Sequence, residues 1–128
     1  MNTPAHLKYT PAHHWVQREP DGTLTVGITF HAQEALGDVV FVQSPEAGRR
    51  VVQGEACGVI ESVKTASDLI APVSGEVIAV NTEVADTPER INSDPYGAWL
   101  YRMRPERPAD ADALPDAAAY RKIVDGAK

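Results

Sequence analysis

Residues 61–68 read ESVKTASD, a polar octet with a single lysine in its middle, entered through Val59-Ile60 and left through Leu69-Ile70. Two short apolar runs around one small polar stretch are the pattern of a β-hairpin, and they place Lys64 at its tip. The chain carries 12 cationic residues, of which only Lys8, Lys64, Lys122 and Lys128 are lysines. Lys64 is thus the one lysine in the interior of the sequence. A guanidinium stays protonated and is a poor acyl acceptor, whereas a lysine amine can be deprotonated and acylated. Glu61 and Asp68 make the turn acidic on both arms. The octet therefore presents one acylable amine on a rigid platform.

The rest of the chain agrees with a β framework. Thr23–Thr29, Val39–Val42, Gly58–Val63, Leu69–Val73, Val77–Val80 and Trp99–Met103 are short β-branched or aromatic runs punctuated by Gly, Pro and Asn. AQEALG, residues 32–37, predicts a short helix capped by Thr29 and stopped by Gly37. Thr87–Arg90 predicts a single capped turn ended by Asp94-Pro95. A longer C-terminal helix, about 114–125, is predicted from Pro115 at its first turn, an apolar stripe of Ala117, Tyr120, Ile123 and Val124, and Gly126 at its exit. The proline-rich ramp before it, RPERPADADALP, reads as a polar connection. GRRV, residues 48–51, reads as a solvated turn. Trp15, Trp99 and Tyr101 read as core, and Tyr9 and Tyr96 suit either packing or partner contact.

VQGEACGV (52–59) and VSGEVIAV (73–80) share Val, Gly, Glu and Val at the same places. Lys64 falls between the two copies, as a connecting hairpin would in a two-fold arrangement of similar β halves. Gly54 and Gly75 are then expected at strand turns.

The bulk numbers bound the function. At 128 residues the chain is expected to be one domain, 1–128, with its core at about 9–105. A net charge of -6 with no basic cluster beyond Arg49-Arg50 argues against nucleic acid as a partner. No apolar run is long enough to span a bilayer, and MNTPAHLKYT lacks an apolar signal core, so a cytoplasmic location and no membrane partner are expected. Cys57 is the sole cysteine, in an apolar stretch, and reads as a buried structural thiol. The adjacent His13 and His14 would point to opposite faces of a strand and cannot readily chelate one ion, so no metal is expected.

ESVKTASDLIAPVSGEV closely resembles the lipoyl-attachment segment of the glycine cleavage system H protein family, in which the lysine of an E-S-V-K-x-x-S-D core carries lipoic acid in amide linkage. HHWV, GIT followed by AQEALGDVVFV, PEAG with GE downstream, and INSDPYG with a nearby WL are similar to that family's other motifs, in the family's order, over about residues 9–124. The resemblance implies a mainly β barrel-sandwich hybrid, with short flanking helices and a C-terminal helix, bearing lipoic acid on Lys64. It implies a non-enzymatic carrier of the aminomethyl group of glycine. Its implied partners are the pyridoxal-phosphate glycine decarboxylase, the tetrahydrofolate-dependent aminomethyltransferase, dihydrolipoamide dehydrogenase, and a lipoate ligase or lipoyl transferase. Glu61 and Asp68, the acidic residues of the turn, and His14 are the candidates for recognition of the turn or contact with the arm.

The chain departs from the family pattern at Ala12-His13-His14-Trp15, where S-H-E-W is common, and at Phe30-His31, where Asp with an aromatic is usual. Position 14 then offers an imidazole, with an ordinary pKa of ~6.5, in place of a carboxylate, and leaves Asp68 as the counter-charge for a cationic arm. These departures leave open an alternative, an H-like lipoyl carrier that acts as lipoate donor or relay outside glycine cleavage. A biotin carrier usually has Met on both sides of its lysine, where this chain has Val63 and Thr65.

Overall fold

The computed structural model describes residues 3–126. Among the described residues, nine strands form two antiparallel sheets. In chain order they are β1 (Lys8–Tyr9), β2 (His14–Arg18), β3 (Leu24–Ile28), β4 (Val39–Gln43), β5 (Arg50–Val51), β6 (Ala56–Ser62), β7 (Ala66–Ile70), β8 (Gly75–Val80) and β9 (Tyr101–Pro105). The larger sheet runs β1-β2-β3-β9-β8-β5 and the smaller β4-β6-β7. Val26, Ile60, Leu69, Val77 and Met103 interlock between them in one buried cluster, to which Cys57 contributes as a small apolar side chain. The hairpin matches the reading of the octet, and the two antiparallel sheets match the mainly β sandwich that the resemblance implies.

The two copies of the internal repeat feed opposite sheets, the first entering β6 and the second β8. Gly54, with φ of 87°, makes a turn that other residues would resist. Gly75 does not sit in a turn. It opens β8 opposite Pro105, where a β-carbon would collide with the carbonyl of Arg104, so close backbone approach is what requires glycine there. GRRV is likewise only partly a turn, because Arg50 and Val51 pair with Glu76 and Gly75.

Five helices among the described residues surround the sheets. The first, α1 (Phe30–Leu36), starts at Thr29, whose hydroxyl accepts from Ala32 N–H, and ends at Gly37 with φ of 80°, as the sequence predicts. A second, α2 (Thr82–Asp86), capped by Asn81, was not expected. The third, α3 (Arg90–Ser93), continues from the predicted turn, in which Arg90 N–H donates to the Thr87 carbonyl at 3.1 Å, and ends at Asp94. The proline-rich ramp holds a fourth, α4 (Pro108–Asp112), with Pro108 rather than Pro115 at a helix start. The last, α5 (Ala117–Gly126), follows Asp116, whose carboxylate accepts from Ala119 N–H. It packs on the outer face of the large sheet, where Tyr120 stacks on Tyr9 with ring centroids 4.7 Å apart, in a second buried cluster with Leu7, Trp15 and Ala117. Tyr9 and Trp15 are therefore core, while Trp99 and Tyr96 pack on that cluster's edge.

Candidate functional site

The polar octet is mostly strand. Glu61 and Ser62 end β6, Ala66 to Asp68 begin β7, and only Val63, Lys64 and Thr65 make the turn. The ladder pairs Glu61 with Ala66, Ile60 with Ser67 and Val59 with Asp68, and Ser62 N–H closes the turn on the Thr65 carbonyl at 2.7 Å. Ile60 and Leu69 are anchored in the core, so the tip is held from both strands. Ser62, which the sequence reading did not single out, completes the turn. Its hydroxyl accepts from Lys64 N–H and Thr65 N–H at 3.3 and 3.2 Å and donates to the Thr65 carbonyl.

Lys64, Glu61 and Asp68 are all exposed. The Lys64 side chain lies over Gly37 at the end of α1, with Cε 3.4 Å from where a β-carbon there would stand. Val63 N–H donates to the Asp38 carbonyl at 3.0 Å, tying the turn to the start of β4.

His14 sits on β2, which crosses beside the hairpin. It is 3% exposed, and its Nε2 accepts a hydrogen bond from Ile70 N–H on β7 at 2.8 Å. Nε2 thus carries no proton, which makes Nδ1 the protonated nitrogen of the neutral ring. Burial pushes the imidazole down to about 4; the His13 carbonyl opposes that shift and the His13 ring adds to it. The ordinary value expected from sequence is therefore corrected: position 14 is a neutral, buried imidazole rather than a titrating surface group.

Between α1, β2 and the hairpin lies an open cavity of about 260 Å³. Ile28, Leu36 and Ile60 give it apolar walls, His14 forms one side, and Thr65 and Asp68 bring it to the lysine turn. Asp68 and His14 both line this trench and Thr65 brings it next to Lys64, whose own side chain lies over Gly37, while Glu61 pairs with Phe41 and is not part of the lining. An apolar trench that opens beside an acylable amine suits a long aliphatic acyl chain.

Two sheets enclosing one core, with a lysine at the tip of a tight hairpin, define a barrel-sandwich hybrid of the lipoyl and biotinyl type. The family model described as "Glycine cleavage H-protein" matches residues 7–127. The chain is 58% identical over 125 residues to the glycine cleavage system H protein of Thiobacillus denitrificans, covering 98% of this chain and 97% of that one. It is 57% identical, with the same coverage, to that of Nitrosomonas europaea. The crystal structure of a glycine cleavage system H protein from Mycobacterium marinum superposes with a TM-score of 0.87 at 47% identity, covering 96% of this chain and 98% of that one. This chain belongs to the glycine cleavage H-protein family.

Proposed function

We propose that this protein is the lipoyl carrier of glycine cleavage, with lipoic acid in amide linkage to Nζ of Lys64. Once attached, that group would supply a disulfide that can accept the aminomethyl group of glycine on one sulfur as the S–S bond opens, and a dithiol that can be reoxidised after the group is released. The observation that carries the reading is a single exposed lysine at the tip of a three-residue turn, beside an apolar trench. The chain's own residues present and shelter the arm, and the protein acts as a carrier rather than an enzyme. Ser62 and the ladder fix the turn, Gly37 leaves room for the lysine stem, and Ile28, Leu36 and Ile60 line a resting place for the arm. Asp68 at the rim supplies a carboxylate for a cationic arm, while His14, neutral and bonded to Ile70, shapes the wall.

The implied partners are glycine decarboxylase, aminomethyltransferase, dihydrolipoamide dehydrogenase and the enzyme that installs lipoate, in the cytoplasm. The net charge of -6 favours encounter with basic clefts. No helix among the described residues is long and apolar enough to cross a membrane. Family membership favours glycine cleavage over a relay outside it. Intact mass of the protein purified from its own cells tests the reading: a lipoyl increment that maps to Lys64 is expected, and an unmodified or biotinylated Lys64 would overturn it.

A further inference from the structure

The sequence VVFVQ of β4 is apolar at four successive positions, and a regular strand would send Val40 and Val42 to one face and Val39 and Phe41 to the other. The structure does otherwise. A β-bulge between Val39 and Phe41 shifts the phase, so that Val39 and Val42 are both buried while Val40 and Phe41 both face solvent, 55% and 45% exposed. Val63, in the lysine turn, is 70% exposed. These are three of the four exposed large apolar side chains among the described residues. They meet at one corner: Val39 pairs with Ser62, Phe41 with Glu61, and Val63 N–H is bonded to Asp38. The Lys64 stem leans toward the same corner, over Gly37. Two exposed carboxylates, Asp38 and Glu61, frame it.

A bulge that turns two large apolar side chains outward on an edge strand gives up burial and invites aggregation, and bulges characteristically re-aim side chains beside functional sites. We infer that Val40, Phe41 and Val63 form the docking surface for the enzyme that acylates Lys64. The inference rests on Lys64 being the attachment site. Before modification there is no arm, and Nζ reaches only about 6 Å from its Cα. In the acylation step the deprotonated Nζ attacks the activated carbonyl carbon of an acyl adenylate. The C–N amide bond forms, the bond from that carbon to the phosphate oxygen breaks, AMP departs with the electron pair, and the amine proton passes to solvent. The acylating enzyme must therefore bring its reactive carbon against the tip and cover the side chains around it. Enzymes that act on the far end of a finished arm need not. A site that holds an anionic adenylate is rich in cationic groups, which complement Asp38 and Glu61 at the rim of the apolar trio.

The test uses the full-length apo protein, a purified adenylate-forming lipoate ligase, lipoate and ATP, with acylation followed by intact mass. The double variant Val40→Thr/Phe41→Thr should lose at least tenfold in kcat/KM, chiefly through KM, and Val63→Ser, in an exposed turn where folding is not at stake, at least threefold. Val52→Thr, equally exposed but at the other end of β6, should match the parent. Once the double variant has been acylated to completion with excess ligase, its reduction by NADH and dihydrolipoamide dehydrogenase should stay within twofold of the parent. Parent-like acylation of both the double variant and Val63→Ser overturns the inference, as does an equal loss in acylation and reduction. A parent that is not acylated at all defeats the attachment reading, and this inference falls with it; acylation of the parent but not of Lys64→Arg confirms the attachment reading separately.

Discussion

Ile70 N–H, on the strand that leaves the lysine turn, donates to Nε2 of His14 at 2.8 Å, so an N-terminal side chain fastens the carrier hairpin to the large sheet. The bond needs an unprotonated Nε2, and burial keeps the ring neutral down to about pH 4. In the unfolded chain the imidazole takes up its proton near pH ~6.5. Between these values the unfolded state binds more protons than the folded one, so stability rises with pH across the window. The contribution is complete above about pH 6.5 and is lost as pH falls toward 4, amounting to about 3 kcal/mol over the full interval. His14→Gln keeps an oxygen acceptor for Ile70 but cannot titrate. Urea melts at pH 4.5 and 7.5 should show a parent–variant difference that changes by about 2 kcal/mol between the two; a constant difference would mean that the ring already titrates normally in the folded state.

Lys64→Arg retains the charge and removes the acylable amine. Because the side chain is exposed and rests on a glycine, folding stability should stay within about 0.5 kcal/mol of the parent, while lipoylation and glycine-cleavage carrier activity disappear. Mass spectrometry and a coupled glycine-exchange assay measure the two. Residual lipoylation of the variant would place the cofactor elsewhere.

The hairpin was legible because its signal is local: core-anchoring pairs, Ile60 and Leu69, on either side of a small polar octet. Helix α1 was legible for the same reason, since Thr29 and Gly37 are themselves its ends. Strand β1 and strand β5, two residues each, carry no period and exist only through their partners Val16 and Gly75. The phase of β4 was also closed to the sequence. With four apolar residues in a row, nothing local marks which face inward; pairing across the bulge with Ser62 and Glu61 decides it. His14 reads as a surface imidazole until β2 is laid against Ile70, a contact across 56 residues. Helices α2 and α4 did have signals, Asn81 as a cap and Pro108 at a first turn, that a propensity reading could have taken up.

Gly27 pairs with Trp15 across β2 and β3, and a β-carbon on Gly27 would stand 2.5 Å from the indole ring. Trp15 cannot give way easily, since its Nε1 donates to the Pro95 carbonyl at 3.0 Å and its ring is fully buried against the α5 cluster. Gly27→Ala should cost about 2–3 kcal/mol, read as a lower urea midpoint with unchanged m-value. Trp15 packs in the α5 cluster and neither it nor Gly27 lines the trench, so lipoylation at Lys64 should proceed at the parent rate at temperatures where the variant is folded.

Ser62 tests how far the turn itself matters. Its one hydroxyl serves three bonds, two accepted from the Lys64 and Thr65 amides and one donated to the Thr65 carbonyl. In Ser62→Ala the two amides turn to water rather than being left unsatisfied, because the tip is exposed, so the stability loss should be small, about 1 kcal/mol. The local effect should be larger than the global one. Only the Ser62 N–H to Thr65 carbonyl bond would still close the turn, and the lysine would sample more orientations over Gly37. Amide exchange at Lys64 and Thr65 should accelerate about tenfold while Ile60 and Leu69 in the core keep parent protection, and lipoylation should slow by a few-fold. Ser62→Thr, which restores the hydroxyl, should recover most of both. Unchanged exchange at Lys64 and Thr65 in Ser62→Ala would mean that the backbone ladder alone fixes the tip, and that the hydroxyl is a passenger on a turn already made.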